Sequence, residues 1–210
     1  MSAYILDTNL FFNLQAKTAF GTNPQEIIIS VTNYAQKLKS LQKAEFYMPP
    51  RVLEEFLTFV DESEEYVHKF IAQINIKAPD KSKTQFATEV FYDLIEEIRH
   101  RSYRGLQVAE EEMAQAVAEI PRELLEPGAK IEYQKAIGEH IKRLRDRYRN
   151  ATRTKFLDSL ADLDIIVLAK ELNGAVVTAD EGVLLWARKF GVKEAIPHVL
   201  HHELDALLAG

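Results

Sequence analysis

The sequence predicts an α/β fold: a parallel sheet flanked by helices, with a long helical hairpin inserted between its two halves. Three observations predict it. Short apolar runs alternate with helical stretches near both ends of the chain, and strands separated by helices imply a parallel sheet. Two of those runs end in an acid, Asp7 and Asp180, and in parallel sheets functional groups gather at the carboxyl ends of strands. The middle of the chain, from Asp61 to Asn150, is rich in Glu, Lys, Arg, Gln and Ala, with helical periodicity and no strand signal. Residues 1–60 and 151–210 therefore read as the α/β domain, and residues 61–150 as an inserted helical domain.

The elements follow in order. Ala3–Leu6 is a buried strand ending in Asp7-Thr8-Asn9. Residues 24–43 are helical, with Ile27, Val31, Tyr34, Leu38 and Leu41 at helical spacing. Phe46-Tyr47-Met48 is a second strand, and Pro49-Pro50 opens a helix, where proline suits the first turn. The middle segment breaks at Pro79, Pro121 and Pro127-Gly128, as expected of long helices folded into an antiparallel hairpin. Thr154–Leu172 reads as one helix stopped by Asn173-Gly174. Ala175–Thr178 is a strand, Glu181–Phe190 a helix, and Ala195–Val199 a final short strand before a C-terminal helix.

The 210 residues fit one α/β domain with an insertion, and 47% hydrophobic residues suffice for a core. The chain has no cysteine, so disulfides, thiolate metal sites and cysteine nucleophiles are excluded. That composition is compatible with a reducing, cytoplasmic location. The N-terminal residues lack the basic region of a signal peptide. No stretch approaches the roughly 18 uncharged apolar residues of a membrane span. The net charge is −6, but its distribution is uneven. Lys142, Arg143, Arg145, Arg147, Arg149, Arg153 and Lys155 face a single nearby acid, Asp146.

Four segments bring acids to where such a sheet would gather them. Asp7 ends the first strand, Glu54 and Glu55 follow Pro49-Pro50, Asp158, Asp162 and Asp164 share the Thr154–Leu172 stretch, and Asp180 and Glu181 follow the strand at 175–178. On a continuous helix Asp158 and Asp162 share a face, while Asp164 points about 200° round the axis from Asp162. Clustered carboxylates repel unless a cation neutralises them, and an oxygen-only ligand set favours Mg²⁺ or Mn²⁺ over zinc. Thr8 and Thr178, each beside an acid, are placed to orient ligands or water. Taken singly, Asp158 reads equally as a helix cap, and Glu54, Glu55 and Glu181 as first-turn residues that favour the helix dipole. Asp7 is different, because a buried strand terminus rarely ends in an acid without a partner.

Together these residues resemble the PIN-domain nuclease pattern. Tyr4-Ile5-Leu6-Asp7-Thr8-Asn9 is similar to its first-strand signature. Asp162 through Ala169, then Gly174 through Asp180, resembles its second half, and Val52 and Phe56 flank Glu55 as apolar residues flank the family's second acid. The resemblance implies a Rossmann-like sheet and a Mg²⁺- or Mn²⁺-dependent endoribonuclease. Asp7, Asp162 and Asp180 would hold the metal, with Glu55, Asp158 and Asp164 completing the catalytic set. The helical middle and the acids at 158, 162 and 164 resemble, more narrowly, the HARP family, small protein-only forms of ribonuclease P. That implies removal of the 5′ leader of precursor tRNA, homo-oligomers built through the helical insertion, and no membrane or protein antitoxin partner. A toxin-type PIN ribonuclease acting on other RNAs, and an inert RNA-binding protein on a PIN fold, are the alternatives.

The basic segment supplies the expected RNA contacts. Arg145, Arg149 and Arg153 follow i, i+4, i+8 on one helix face, with Lys142 close to it, and Arg143 and Arg147 form a neighbouring stripe. Arginine suits phosphate through bidentate contacts. The bland alternative is that these arginines pair with glutamates of a partner helix. Arg99, His100, Arg101 and Arg104 form a smaller candidate contact, and Tyr103, Leu106, Val108, Met113 and Val117 a stripe suited to a core or a subunit interface.

Overall fold

A computed structural model describes residues 1–13, 20–121, 130–157 and 159–209. Its strands are β1 (Ser2–Leu6), β2 (Ala44–Met48), β3 (Asn75–Ile76), β4 (Ala175–Val177) and β5 (Lys193–Ala195). The helices are α1 (Asn9–Phe12), α2 (Pro24–Ser40), α3 (Pro50–Leu57), α4 (Glu65–Gln73), α5 (Glu89–Glu119), α6 (Lys130–Arg153), α7 (Leu160–Leu172), α8 (Glu181–Lys189) and α9 (Pro197–Ala209).

The strands form one parallel sheet in the order β3-β2-β1-β4-β5. Its register pairs Ser2 with Ala44 and Ile5 with Tyr47 on one side of β1, and Tyr4 with Ala175 and Leu6 with Val177 on the other. Parallel sheets are covered on both faces, so their strands read as apolar runs. Ile5, Leu6, Val176 and Val177 are accordingly inaccessible to solvent. The chain builds outward from β1 through β2 to β3, then returns to the other side of β1 for β4 and β5. The order therefore reverses at the β1–β4 boundary, and an open α/β sheet of this kind leaves a crevice at the carboxyl ends of those two strands.

Local chemistry fixes the helices around this sheet. Asn23 caps α2 by accepting from the Glu26 N–H at 3.0 Å, and the Glu26 carboxylate accepts in return from the Thr22 N–H at 2.7 Å. Ser159 caps α7 by accepting from the Asp162 N–H at 3.1 Å. Asn173 ends α7 in the left-handed conformation, at φ 50° and ψ 37°. Phe11, Phe56 and Phe70, from α1, α3 and α4, pack with each pair of ring centroids 5.2 Å apart. Trp186 of α8 is buried and meets Phe156 edge-on at 5.4 Å.

Three expectations need correction. The segment after Asp61 is not free of strand: β3 pairs with β2 through Tyr47–Asn75 and Met48–Ile76. A two-residue edge strand is too short to show alternation in the sequence. The final strand ends at Ala195 rather than starting there, because Pro197 opens α9 and the Leu200 N–H already donates to Ile196 at 2.9 Å. The helix expected over Thr154–Leu172 is also broken. Helix α6 ends at Arg153, Lys155 takes φ +60°, and α7 starts only at Leu160. Asp158, expected on that helix, lies outside the described residues.

The described chain divides into two compact units, residues 1–87 with 155–210, and residues 88–154. Residues 61–87, read from the sequence as the start of the insertion, carry α4 and β3 and belong to the first. The second is the α5–α6 hairpin. Its contacts run in opposite directions along the two helices. The Arg101 guanidinium donates to the Thr152 carbonyl at 2.8 Å, and the Arg143 and Arg147 guanidinium groups donate to Glu112 at 2.9 and 2.7 Å. Gly105 lets Tyr148 approach, since a Cβ there would sit 2.7 Å from the Tyr148 ring.

Gly174 has the same kind of role in the sheet. A Cβ at this position would lie 2.6 Å from the Ala3 carbonyl oxygen and 2.8 Å from Ile5 Cδ1. The carbonyl belongs to a paired central strand and cannot give way. Gly174→Ala is expected to cost on the order of 1–3 kcal/mol through overpacking, read as a lower denaturant midpoint; an unchanged midpoint would show that β1 and β4 have slack.

Candidate active site

Asp7 sits where the sheet order reverses. Its N–H donates to the Val177 carbonyl at 3.1 Å, extending the β1–β4 ladder by one residue, and its carbonyl accepts from the Leu10 N–H at 3.2 Å, which turns the chain into α1. The side chain is consequently buried, with 6% of the residue exposed. Its carboxylate accepts from the Thr178 hydroxyl at 2.5 Å and from the Thr8 hydroxyl at 3.3 Å.

Asp180 follows β4 and is tied to the same group. Its N–H donates to the Thr178 oxygen at 2.9 Å, so Thr178 links the backbone of one acid to the carboxylate of the other. One Asp180 oxygen caps α8, accepting from the Gly182 and Val183 N–H groups at 2.7 and 3.0 Å. Among the described residues its second oxygen has no protein donor. Glu55 is exposed on α3 and has no ion pair among the described residues.

Asp180 and Glu55 both act on Asp7. Burial pushes the Asp7 carboxyl up to about 6, hydrogen bonds from Thr178 and the Asn9 backbone oppose this, and the negative charges of Asp180 and Glu55 push it further up. The structure thus brings Asp180 and Glu55 within reach of the Asp7 charge. Glu54, the neighbouring candidate, does not figure in that balance.

The remaining predicted acids are placed differently. Asp162 stands half-buried in the first turn of α7, its N–H capped by Ser159. Asp164 is buried and forms an ion pair with Arg51 of α3. This matches its position on the far side of α7 from Asp162. Arg51 is the residue that sequence reasoning missed. Its only signal was a cation one helical turn before Glu55. On α6, Arg143 and Arg147 pair with Glu111, Glu112 and Glu119, as the bland reading allowed. Lys142, Arg145 and Arg149 are exposed and have no ion pair among the described residues. Arg153 is exposed as well. Arg101 is buried against Thr152 and Glu97, which removes it from the candidate surface contact.

The donor set bears on a metal. Among the described residues no three His, Asp or Glu side chains converge tightly enough to form a closed ion cage. The chemistry present is all oxygen, with negative charges crowding a buried carboxylate. It fits an ion such as Mg²⁺, which keeps several waters and takes only one or two carboxylates from the protein. Among the described residues no helix is long and apolar enough to cross a membrane.

Fold and site together define a PIN-type nuclease, and the family model described as "PINc domain ribonuclease" matches residues 3–209. Close relatives share this length. The protein named "RNA-free ribonuclease P" of Thermococcus kodakarensis is 36% identical over 205 residues, covering 98% of this chain and 95% of its own. The proteins of the same name from Thermodesulfovibrio yellowstonii and Halorhodospira halophila are 37% and 34% identical, covering 92% and 99% of this chain and 88% and 91% of their own. The chain belongs to the PINc-domain ribonucleases and, within them, to the RNA-free ribonuclease P family. This membership makes it an endoribonuclease.

Asp7 makes stability depend on pH. Its folded value of about 6 lies above the ordinary 3.8, so the folded state is favoured by protonation. The stability this group contributes is complete below about 3.8 and is lost as pH rises through 6. Without divalent ions, wild type should gain about 1–1.5 kcal/mol relative to Asp7→Asn between pH near 7.5 and pH near 5, measured by denaturant unfolding. A gap independent of pH would mean that Asp7 titrates normally.

Proposed function

We propose that this chain is a Mg²⁺- or Mn²⁺-dependent endoribonuclease that removes the 5′ leader of precursor tRNA in the cytoplasm. The observation that carries the reading is the buried Asp7 carboxylate, crowded by Asp180 and Glu55 at the switch point of the sheet, in a chain matched from end to end by proteins named RNA-free ribonuclease P. Asp7, Asp162 and Asp180 would hold the ion, one or two of them directly and the rest through its retained waters, with Glu55 and Asp158 as further acids of the set. When bound, the ion would supply Lewis acidity and lower the pKa of a water at the site. Thr178 keeps the Asp7 carboxylate oriented through its 2.5 Å hydrogen bond. Water adds to phosphorus as the bond to the 3′-oxygen breaks, and a proton passes to that oxygen. The products are a 5′-phosphate and a 3′-hydroxyl.

The helical hairpin serves binding and assembly. Lys142, Arg145, Arg149 and Arg153 form an exposed basic face suited to the backbone of an RNA stem, which is recognised largely by shape and phosphate contact. Tyr103, Leu106, Met113 and Val117 are 63, 55, 69 and 84% exposed, which excludes them from this chain's own core. They suit a contact between copies, so a homo-oligomer is part of the proposal.

With a 5′-labelled precursor tRNA and Mg²⁺, wild type should make one cut at the mature 5′ end, which is lost in Asp7→Asn and in excess EDTA. Scattered cuts elsewhere would favour a toxin-type nuclease, and no cut an inert binder. Arg145→Ala with Arg149→Ala, in an Asp7→Asn background, should weaken precursor binding and reduce the salt slope by about two counterions; an unchanged slope would take these arginines off the phosphate backbone.

A further inference from the structure

The Arg51–Asp164 pair is left over from the reaction as described. Asp164 is almost wholly withdrawn from solvent, its side chain 8% exposed, whereas the Arg51 side chain is 48% exposed. A buried carboxylate needs a counter-charge, and Arg51 provides it through Nη1. A guanidinium carries five N–H donors. Among the described residues the other Arg51 nitrogens have no protein acceptor. The group is therefore pinned at one end and open at the other.

Its position gives the open end a use. Arg51 and Glu55 are i and i+4 on α3, so they share one helix edge, and the Glu55 charge is felt by Asp7. A phosphodiester chain entering a centre lined by carboxylates is repelled on either side of the scissile phosphate. A cation at the rim offsets that repulsion. An arginine already held by a buried carboxylate loses little further freedom when it grips phosphate.

We propose that Arg51 is a phosphate subsite of the nuclease centre, contacting a backbone phosphate next to the scissile one. Asp164 is then a positioning residue that orients Arg51 and does not ligate the ion. This rests on the endoribonuclease reading above and adds a substrate contact to it.

The test uses precursor tRNA in two measurements. The first is affinity across a salt series in the Asp7→Asn background. The second is single-turnover cleavage against Mg²⁺ concentration with Asp7 intact. Arg51→Gln should weaken affinity about 5–10-fold and lower the salt slope by roughly one counterion. Arg51→Lys, which keeps the charge, should restore the slope. Asp164→Asn should lose affinity to a smaller extent, and Arg51→Gln with Asp164→Asn should be no worse than Arg51→Gln alone. The Mg²⁺ concentration at half-maximal rate should be the same in all. Wild-type affinity and slope in Arg51→Gln would overturn the subsite, leaving the pair as a structural tie whose loss moves only the melting temperature. A raised Mg²⁺ requirement in Asp164→Asn with unchanged binding would instead make Asp164 an ion ligand. Failure of wild type to cut the precursor would count against the substrate reading, while the affinity series still decides the role of Arg51.

Discussion

The hydrogen bond from Thr178 to the Asp7 carboxylate ties together the two strands on which this structure depends. It joins the residue after β1 to the residue after β4, at the one boundary where the strand order reverses. The backbone on both sides is already paired there, by the Asp7 N–H on the Val177 carbonyl. The carboxylate has nowhere to go but into the crevice at the strand ends, out of water and beside other negative charges. An arrangement that raises its pKa to about 6 disfavours the folded state at neutral pH. Perturbed carboxylates of this kind gather at functional sites, and a divalent ion at the proposed centre would supply the missing positive charge.

The other acids divide by what meets them. Asp180 spends one oxygen on the N-terminus of α8. Gly182 makes that cap possible, since a Cβ there would sit 3.0 Å from the capping oxygen and 2.9 Å from the Phe156 carbonyl. Asp164 is neutralised by Arg51, and Glu171 on the same helix by Lys77 at 2.5 Å. Glu55 has no cation on it among the described residues. The same sorting separates the cations of α6. Arg143 and Arg147 face the glutamates of α5 and hold the hairpin together, whereas Lys142, Arg145 and Arg149 stay exposed. Two arginine stripes on one helix, two residues out of phase, thus take different tasks: one is structural, the other open to a polyanion.

How far the sequence could be read follows from the range of each interaction. Apolar runs broken by helices gave the parallel sheet, because burial on both faces leaves a mark on every residue of a central strand. Asp7 and Asp180 stood out because each closes such a run. Edge strand β3 did not, since two residues cannot alternate visibly. Nor did the break before α7: Lys155 adopts a positive φ without being glycine, and only the Ser159 cap marks the restart. The Arg51–Asp164 pair spans 113 positions of chain, and no local pattern announces a partner that distant. The choice of Glu55 over Glu54 rested on flanking apolar residues, and the same flanks, Val52 and Phe56, prove to be the buried face of α3.

The central claim is that Asp7 is a crowded, buried carboxylate whose charge is completed by a divalent ion. It is tested most directly by following the side-chain carboxyl carbon of Asp7 by ¹³C NMR through a pH titration, with and without Mg²⁺. The account predicts a midpoint of about 6 without the ion and a clear fall when Mg²⁺ is added. A midpoint near the ordinary 3.8 in both samples, or one indifferent to Mg²⁺, would contradict it.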